Sequence, residues 1–211
     1  PLTPIQLSID RIREKYLNKV GADDSNFSNY LNTINKQIKD IEHLVTEFSD
    51  FARMPKPVFK LVDLSNILNR SLNLNKLSDD KIDFDLIKEN IPFNINCDEE
   101  QLNRVFINLI KNSIESINEK KIKNVDFKGK IEVEIKRDSD YIYVTITDNG
   151  LGFDQVDKVK MLTPYYTTKA KGSGLGLAIV TKIISDHNST ILFNSIKNGA
   201  KVEIIIPKFY D

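Results

Sequence analysis

The 211-residue chain has one cysteine, two histidines and no excess of either charge, with 30 basic and 30 acidic side chains. A single thiol, Cys97, excludes an internal disulfide and suits a reducing compartment. The charge balance leaves no electrostatic footprint for nucleic acid, so no nucleic-acid partner is expected. No apolar run is long enough to cross a bilayer, and no secretory leader pattern is present. Internal repeats and low-complexity tracts are missing as well. What is there is an ordinary globular composition, 40% apolar and 28% charged, sized for one large domain or two small ones. The chain begins with Pro1 rather than Met, inside what reads as helix. It is therefore expected to be a piece of a longer protein, whose membrane attachment stays open.

Two periods divide the sequence, and they place the expected domain boundary between residues 57 and 58. Residues 1–53 read as two helices joined by a polar turn over 21–26. In the second, Phe27, Leu31, Ile34, Ile38, Ile41, Val45, Phe48 and Ala52 alternate steps of four and three, the seam of a helical bundle. Leu2, Ile5, Ile9, Ile12 and Tyr16 repeat it in the first. Either a dimeric four-helix bundle or a hairpin packed within one chain buries these stripes. Pro55 and Pro57 then start an extended linker.

Beyond the linker, Asp63 caps a helix carrying Leu64, Ile67, Leu68, Ser71 and Leu72, and residues 81–87 and 93–97 read as strands. Asp98 opens a long helix, with Gln101 placed for a capping box and Leu102, Val105, Phe106, Leu109 and Ile110 on its buried face. Alternation at Ile131, Val133, Ile135 and again at Ile142, Val144, Ile146 predicts a hairpin with one buried face. A helix over 175–186 and a second hairpin from 191–194 and 201–206 complete an α+β layer sandwich.

Four short signatures carry the chemistry. Asn108 and Asn112 share one helix face about 6 Å apart. They read either as surface or as neutral oxygen ligands for Mg²⁺, which takes few protein ligands plus phosphates. Asp148 ends a strand before Asn149-Gly150-Leu151-Gly152. That is how an ordinary turn looks, and also how a carboxylate is presented to the exocyclic amine of adenine with glycine backbone close to the base. Gly172-Ser173-Gly174-Leu175-Gly176-Leu177 runs into a helix, an anion site made of exposed amides and the helix dipole. It is neither a P-loop nor a dinucleotide fingerprint, because no Gly-Lys-Ser/Thr follows and no βαβ unit surrounds it. Residues 151–171 form a long loop of the kind that serves as a lid. Tyr165 and Tyr166 are its expected anchor, and Lys169 and Lys171 either approach phosphate or are simply solvated.

Together these signatures resemble the asparagine box, first glycine box, phenylalanine-type box and second glycine box of sensor histidine kinases, within the GHKL ATPase class. Residues 58–211 resemble the catalytic ATP-binding domain, with Tyr165-Tyr166 where Phe-Phe is usual. Residues 1–57 resemble the dimerisation and phosphotransfer hairpin. Pro1-Leu2-Thr3-Pro4 is similar to the stretch just after the phosphoacceptor, and Phe48-Ser49-Asp50-Phe51-Ala52-Arg53-Met54-Pro55 to the end of the second helix in nitrogen-regulation kinases of the NtrY type.

The resemblance implies a Bergerat-type sandwich that binds Mg·ATP and, in the intact protein, passes the γ-phosphoryl to a His and then to an Asp on a response-regulator receiver domain. It implies a homodimeric parent with this part cytoplasmic, and leaves open whether the parent has an anchor in the bacterial inner membrane. It implies catalytic roles for Asn108 and Asn112, with Asn112 the metal ligand. Nucleotide contacts fall to Asn108, Lys111, Asn112, Asp148, Gly150 and Gly152, to Thr167, Thr168 and Lys169 of the lid, and to Gly172, Ser173, Gly174, Leu175, Gly176 and Leu177.

The acceptor His would precede Pro1, so this chain is expected to bind ATP without phosphorylating itself. His43, beside the seam, and His187, at a helix C-terminus where it suits the dipole, read as structural. An Asn at 108, where GHKL hydrolases carry a Glu base, disfavours hydrolysis. A GHKL ATPase and a non-catalytic nucleotide-sensing dimerisation module remain the alternatives.

Overall fold

The computed structural model describes residues 2–16, 24–76, 82–124, 126–153, 161, 163, 165–166 and 174–208. The protein divides into two compact units, Pro1–Met54 and Pro55–Thr168 with Gly174–Asp211. Among the described residues no helix is long and apolar enough to cross a membrane.

The first unit contains α1 (Thr3–Tyr16) and α2 (Asp24–Ala52). Gln6 Nε2 donates to Asn35 Oδ1 at 3.0 Å, and Arg13 donates to Asn32, so the two helices run antiparallel. Their shared core is small. Ile9, Leu31 and Ile38 are buried, with Leu2 and Phe27 packed against them. The seam is therefore half used: Ile5, Ile12, Ile34, Ile41, Val45 and Phe48 are exposed.

The second unit is an α+β sandwich. A five-stranded sheet carries β2 (Ile82–Lys88), β4 (Gly129–Arg137), β5 (Tyr141–Asp148), β7 (Gly199–Pro207) and β6 (Thr190–Ile196), in that spatial order. The pair β2–β4 is parallel and the other pairs are antiparallel. A parallel pair needs a crossover, and α4 (Glu99–Lys123) supplies it.

On one face of the sheet lie α3 (Leu64–Lys76), α4 and α5 (Gly176–Asp186), with α4 between the other two and against β4 and β5. Register explains the core. Val133 faces Ile146 and Ile135 faces Val144, while Ile146, Val144 and Ile142 lie opposite Val202, Ile204 and Ile206. All of these are buried, together with Leu102, Val105, Phe106, Ile110 and Ile117 of α4. The opposite face of the sheet is polar. Lys130 pairs with Asp85 and with Glu132, each at 3.0 Å.

Two features depart from expectation. The segment after Pro57 is not merely a linker, because β1 (Lys60–Asp63) pairs antiparallel with β3 (Asn94–Cys97) in a separate two-stranded sheet. The capping box at the head of α4 is only half formed. Asp98 Oδ1 accepts from the Gln101 amide at 3.0 Å, but the Gln101 side chain turns away and donates to the Pro55 carbonyl. The Asp98 amide donates instead to His187 Nε2 at 3.0 Å.

Candidate functional site

Three pieces of backbone meet around the middle of α4. The first is α4 itself. Burial opposes ionisation of its cap, Asp98, but the amides of Val58, Gln101 and Glu100 outweigh that and hold the carboxyl below the ordinary range. Ten residues on, Asn108 and Asn112 are half-buried and Lys111 is exposed. Asn108 Nδ2 donates to the Arg104 carbonyl at 3.0 Å. Its Oδ1 points at the head of α5, 3.5 Å from where a Cβ on Gly176 would stand. Gly176 therefore lets helix backbone approach the asparagine stripe.

The second piece is the turn after β5. Asp148 is 5% exposed, and its carboxylate accepts from Ser113 Oγ at 3.0 Å and from the Gly150 amide at 2.9 Å. Burial nonetheless pushes its carboxyl above the ordinary range, because these bonds only partly replace water. The turn is strapped down throughout. The Leu151 amide donates to Ser116 Oγ at 2.9 Å, and Lys120 Nζ donates to the Asn149 and Gly150 carbonyls at 2.6 and 2.9 Å. The Asn149 side chain accepts from the Lys130 amide and donates to the Lys128 carbonyl. A Cβ on Gly150 would come within 2.4 Å of Ser116 Oγ, so only glycine allows the turn to lie this close to α4. Gly199 has φ +134°, and a Cβ there would meet the Asp148 carbonyl at 1.9 Å.

The third piece is the start of α5. Leu175 precedes the helix without a side-chain cap bond, and the first turn carries no acidic residue. A helix N-terminus with no acidic residue in its first turn suits an anion. The helix begins at Gly176, one residue later than expected. Gly174, at φ +71°, abuts Tyr165, whose amide donates to the Gly174 carbonyl at 3.1 Å. Tyr165 itself sits at φ +70°, uncommon for a bulky residue, and its side chain is 58% exposed. The Tyr165 amide thus ties the loop to Gly174 through backbone.

The structure places Gly176 beside Asn108, and Asp148 and Gly150 beside Ser113 and Ser116 of the same helix. Thr167, Thr168, Lys169, Lys171, Gly172 and Ser173 lie outside the described residues. Ser113, Ser116 and Lys120 were not foreseen. They recur at steps of three and four on α4, a helix-face signal that was available, although their partners lie about thirty residues away.

His187 is buried and structural, but not as a partner of the helix dipole. Its Nε2 accepts from Asp98 and its Nδ1 lies 2.8 Å from the Ile183 carbonyl, so Nδ1 carries the proton and the ring is neutral. The side chain of His43 lies outside the described residues. Burial pushes the Cys97 thiol up to about 12, as suits an unreactive core residue.

No group of three or more His, Cys, Asp or Glu able to hold a metal occurs among the described residues. Neutral amide oxygens on one helix face do fit a hard cation that draws its remaining ligands from phosphate and water.

Known proteins carry the same pattern. The family described as histidine kinase-, DNA gyrase B-, and HSP90-like ATPase matches residues 97–209, more than half of the chain. Nitrogen regulation protein NtrY of Azorhizobium caulinodans is 38% identical over 200 residues, covering 94% of this chain and 26% of that protein. The chain spans about a quarter to a third of the length of the curated relatives it matches. The solved catalytic domain of histidine kinase ThkA is 27% identical with a TM-score of 0.62, over 72% of this chain and 96% of that one. ThkA in complex with the response regulator protein TrrA gives a TM-score of 0.72 at 24% identity, over 98% of this chain and 58% of that one, a likeness of fold.

Proposed function

The chain belongs to the histidine kinase, DNA gyrase B and Hsp90-like ATPase family, and we propose that it is the ATP-binding and helical-hairpin part of an NtrY-type sensor histidine kinase. The observation that carries this reading is the Asp148 carboxylate, buried and oriented by Ser113 and Gly150 beside the asparagine face of α4. A carboxylate so placed accepts a hydrogen bond from the exocyclic amine of adenine. Guanine has a carbonyl at that position, which the carboxylate repels, so the site selects ATP over GTP.

Gly150 and Gly152 let the turn pass close to the base. Phosphates lie toward Asn108, Asn112 and the head of α5, with Gly174, Leu175, Gly176 and Leu177 offering backbone. By the resemblance, Thr167, Thr168, Lys169, Gly172 and Ser173 also serve the phosphates, and exposed Lys111 flanks the approach. Mg²⁺ held by the Asn112 amide oxygen supplies neutralisation of phosphate charge when bound. Asn108 holds no transferable proton vacancy, so water is not activated there and the γ-phosphoryl is kept for a delivered nucleophile.

In the whole protein that nucleophile is a histidine nitrogen. A P–N bond forms as the bond to ADP breaks, and a receiver-domain aspartate of a response regulator then takes the phosphoryl. The exposed half of the α1–α2 seam supports a homodimeric bundle as the setting. By the same resemblance this part is cytoplasmic and the whole is anchored in the bacterial inner membrane. His187 is buried and engaged, so it is not offered as the acceptor.

Titration with ATP and GTP tests the reading. Wild type binds ATP in preference. Asn112→Ala loses magnesium-dependent affinity, and Asp148→Asn loses the preference for ATP. Equal binding by all three proteins contradicts it.

A further inference from the structure

Of the residues around the turn, Lys120 is the one whose geometry reaches furthest beyond its own contacts. The two peptide planes after Asp148 are each held at both ends. The plane joining residues 149 and 150 gives its carbonyl to Lys120 Nζ at 2.6 Å and its amide to Asp148 Oδ1 at 2.9 Å. The plane joining 150 and 151 gives its carbonyl to the same Nζ at 2.9 Å and its amide to Ser116 Oγ at 2.9 Å. In a trans peptide the C=O and N–H point in opposite directions, so fixing one end fixes the other. Gly150 allows these planes wide rotation, and glycine supplies no side chain to restrain it.

The ammonium that restrains them is itself placed. Its Nζ lies 4.5 Å from the centroid of the Phe127 ring, which limits where the flexible lysine stem can go. Lys120 stands two turns beyond Asn112 on the same helix and approaches the turn from the side of its carbonyls. Asp148 lies on the side of the amides. Loss of the ammonium would leave two carbonyls without their cationic donor and free the Gly150 amide to swing away from Asp148 Oδ1.

We infer that Lys120 is a positioning residue for nucleobase recognition: it locks the two peptide planes of the turn, one of which gives its amide to the Asp148 carboxylate, and thereby sets the preference for a 6-aminopurine. The inference rests on the reading of Asp148 as the adenine acceptor. Lys120 touches no part of the nucleotide, and its effect passes entirely through the turn.

The experiment measures affinity for ATP and for ITP, which carries a carbonyl where ATP has its amine. The full 211-residue chain is used as wild type, Lys120→Met, Lys120→Arg and Asp148→Asn, with a thermal melt of each. Lys120→Met should lower the ATP-to-ITP affinity ratio about tenfold, the scale of one oriented hydrogen bond to a charged group. Lys120→Arg, which retains a cation with several donors, should keep the ratio within about threefold of wild type. A merely structural lysine would shift the melt and weaken both nucleotides alike, leaving the ratio where it was.

An unchanged ratio in Lys120→Met, beside a collapsed ratio in Asp148→Asn, overturns the inference and leaves the adenine reading standing. An unchanged ratio in Asp148→Asn overturns both. Should Lys120→Met fail to fold, Lys120→Gln, equally uncharged but able to donate one bond, takes its place with the same two outcomes.

Discussion

The hairpin and the sandwich spend similar apolar stripes differently. In α4 the predicted face closes completely: Leu102, Val105, Phe106, Leu109 and Ile110 are all 3% exposed or less. In α2 the equally regular seam buries Leu31 and Ile38, while Ile34, Ile41, Val45 and Phe48 stay between 46% and 57% exposed. Both stripes have helical period. The difference is that α4 has a sheet behind it and a helix on either side, whereas among the described residues of the hairpin α2 packs against the short α1. Periodicity announces that a face will be covered, and only the tertiary partners decide whether one chain can do it.

Substitutions sharpen this contrast. The largest effect belongs to the sandwich core. Phe106→Ala removes a fully buried ring of α4 and should cost about 3–5 kcal/mol, measured by denaturant unfolding. Leu31→Ala in the three-residue hairpin core should cost clearly less, and equal costs would break the comparison.

Next comes Gly199→Ala, which puts a methyl group against the Asp148 carbonyl at φ +134° and should destabilise by more than about 2 kcal/mol. Its loss of ATP affinity should follow the loss of fold, because the same carbonyl leads into the adenine turn.

A smaller effect, of opposite sign, is expected at Asp148. Its folded pKa is raised by burial, so the unfolded chain ionises more readily and stability falls as pH rises through the window between the unfolded and folded values. Asp148→Asn should therefore raise the melting temperature at neutral pH, and the gain should vanish in acid once both states are protonated. Thermal melts across pH check this. A buried polar residue that costs stability where it stands is what a site, rather than a core, leads one to expect.

The smallest effect on the monomer lies on the seam. Replacing Ile34 and Ile41 by Asp should change its stability by no more than about 0.5 kcal/mol each, as for surface positions. The same change should abolish self-association in sedimentation equilibrium if the open seam is an interface.

Legibility followed the range of the interactions. The hairpins of β4–β5 and β6–β7 and the long α4 were readable because alternation and a capped helix are local patterns. The strand β1 was missed because Lys60–Asp63 is four residues long, shows no clean alternation, and exists through its pairing with β3 over thirty residues away. The capping box was misjudged for the same reason. Gln101 had the right spacing, but His187, from the far end of α5, took the Asp98 amide first. In the site, Asn108 and Asp148 stood out as residues of unusual type for their element. Ser113, Ser116 and Lys120 are unremarkable on a helix, and only the return of β5 to α4 gives them their work.

The account turns on where a nucleotide lies, and a crystal structure of the chain with magnesium and a non-hydrolysable ATP analogue addresses that directly. The account predicts the adenine amine within hydrogen-bonding distance of the Asp148 carboxylate and the phosphates between Asn112 and the head of α5. A nucleotide bound with its base away from Asp148, or no nucleotide at this face of α4 at saturating concentration, would contradict it.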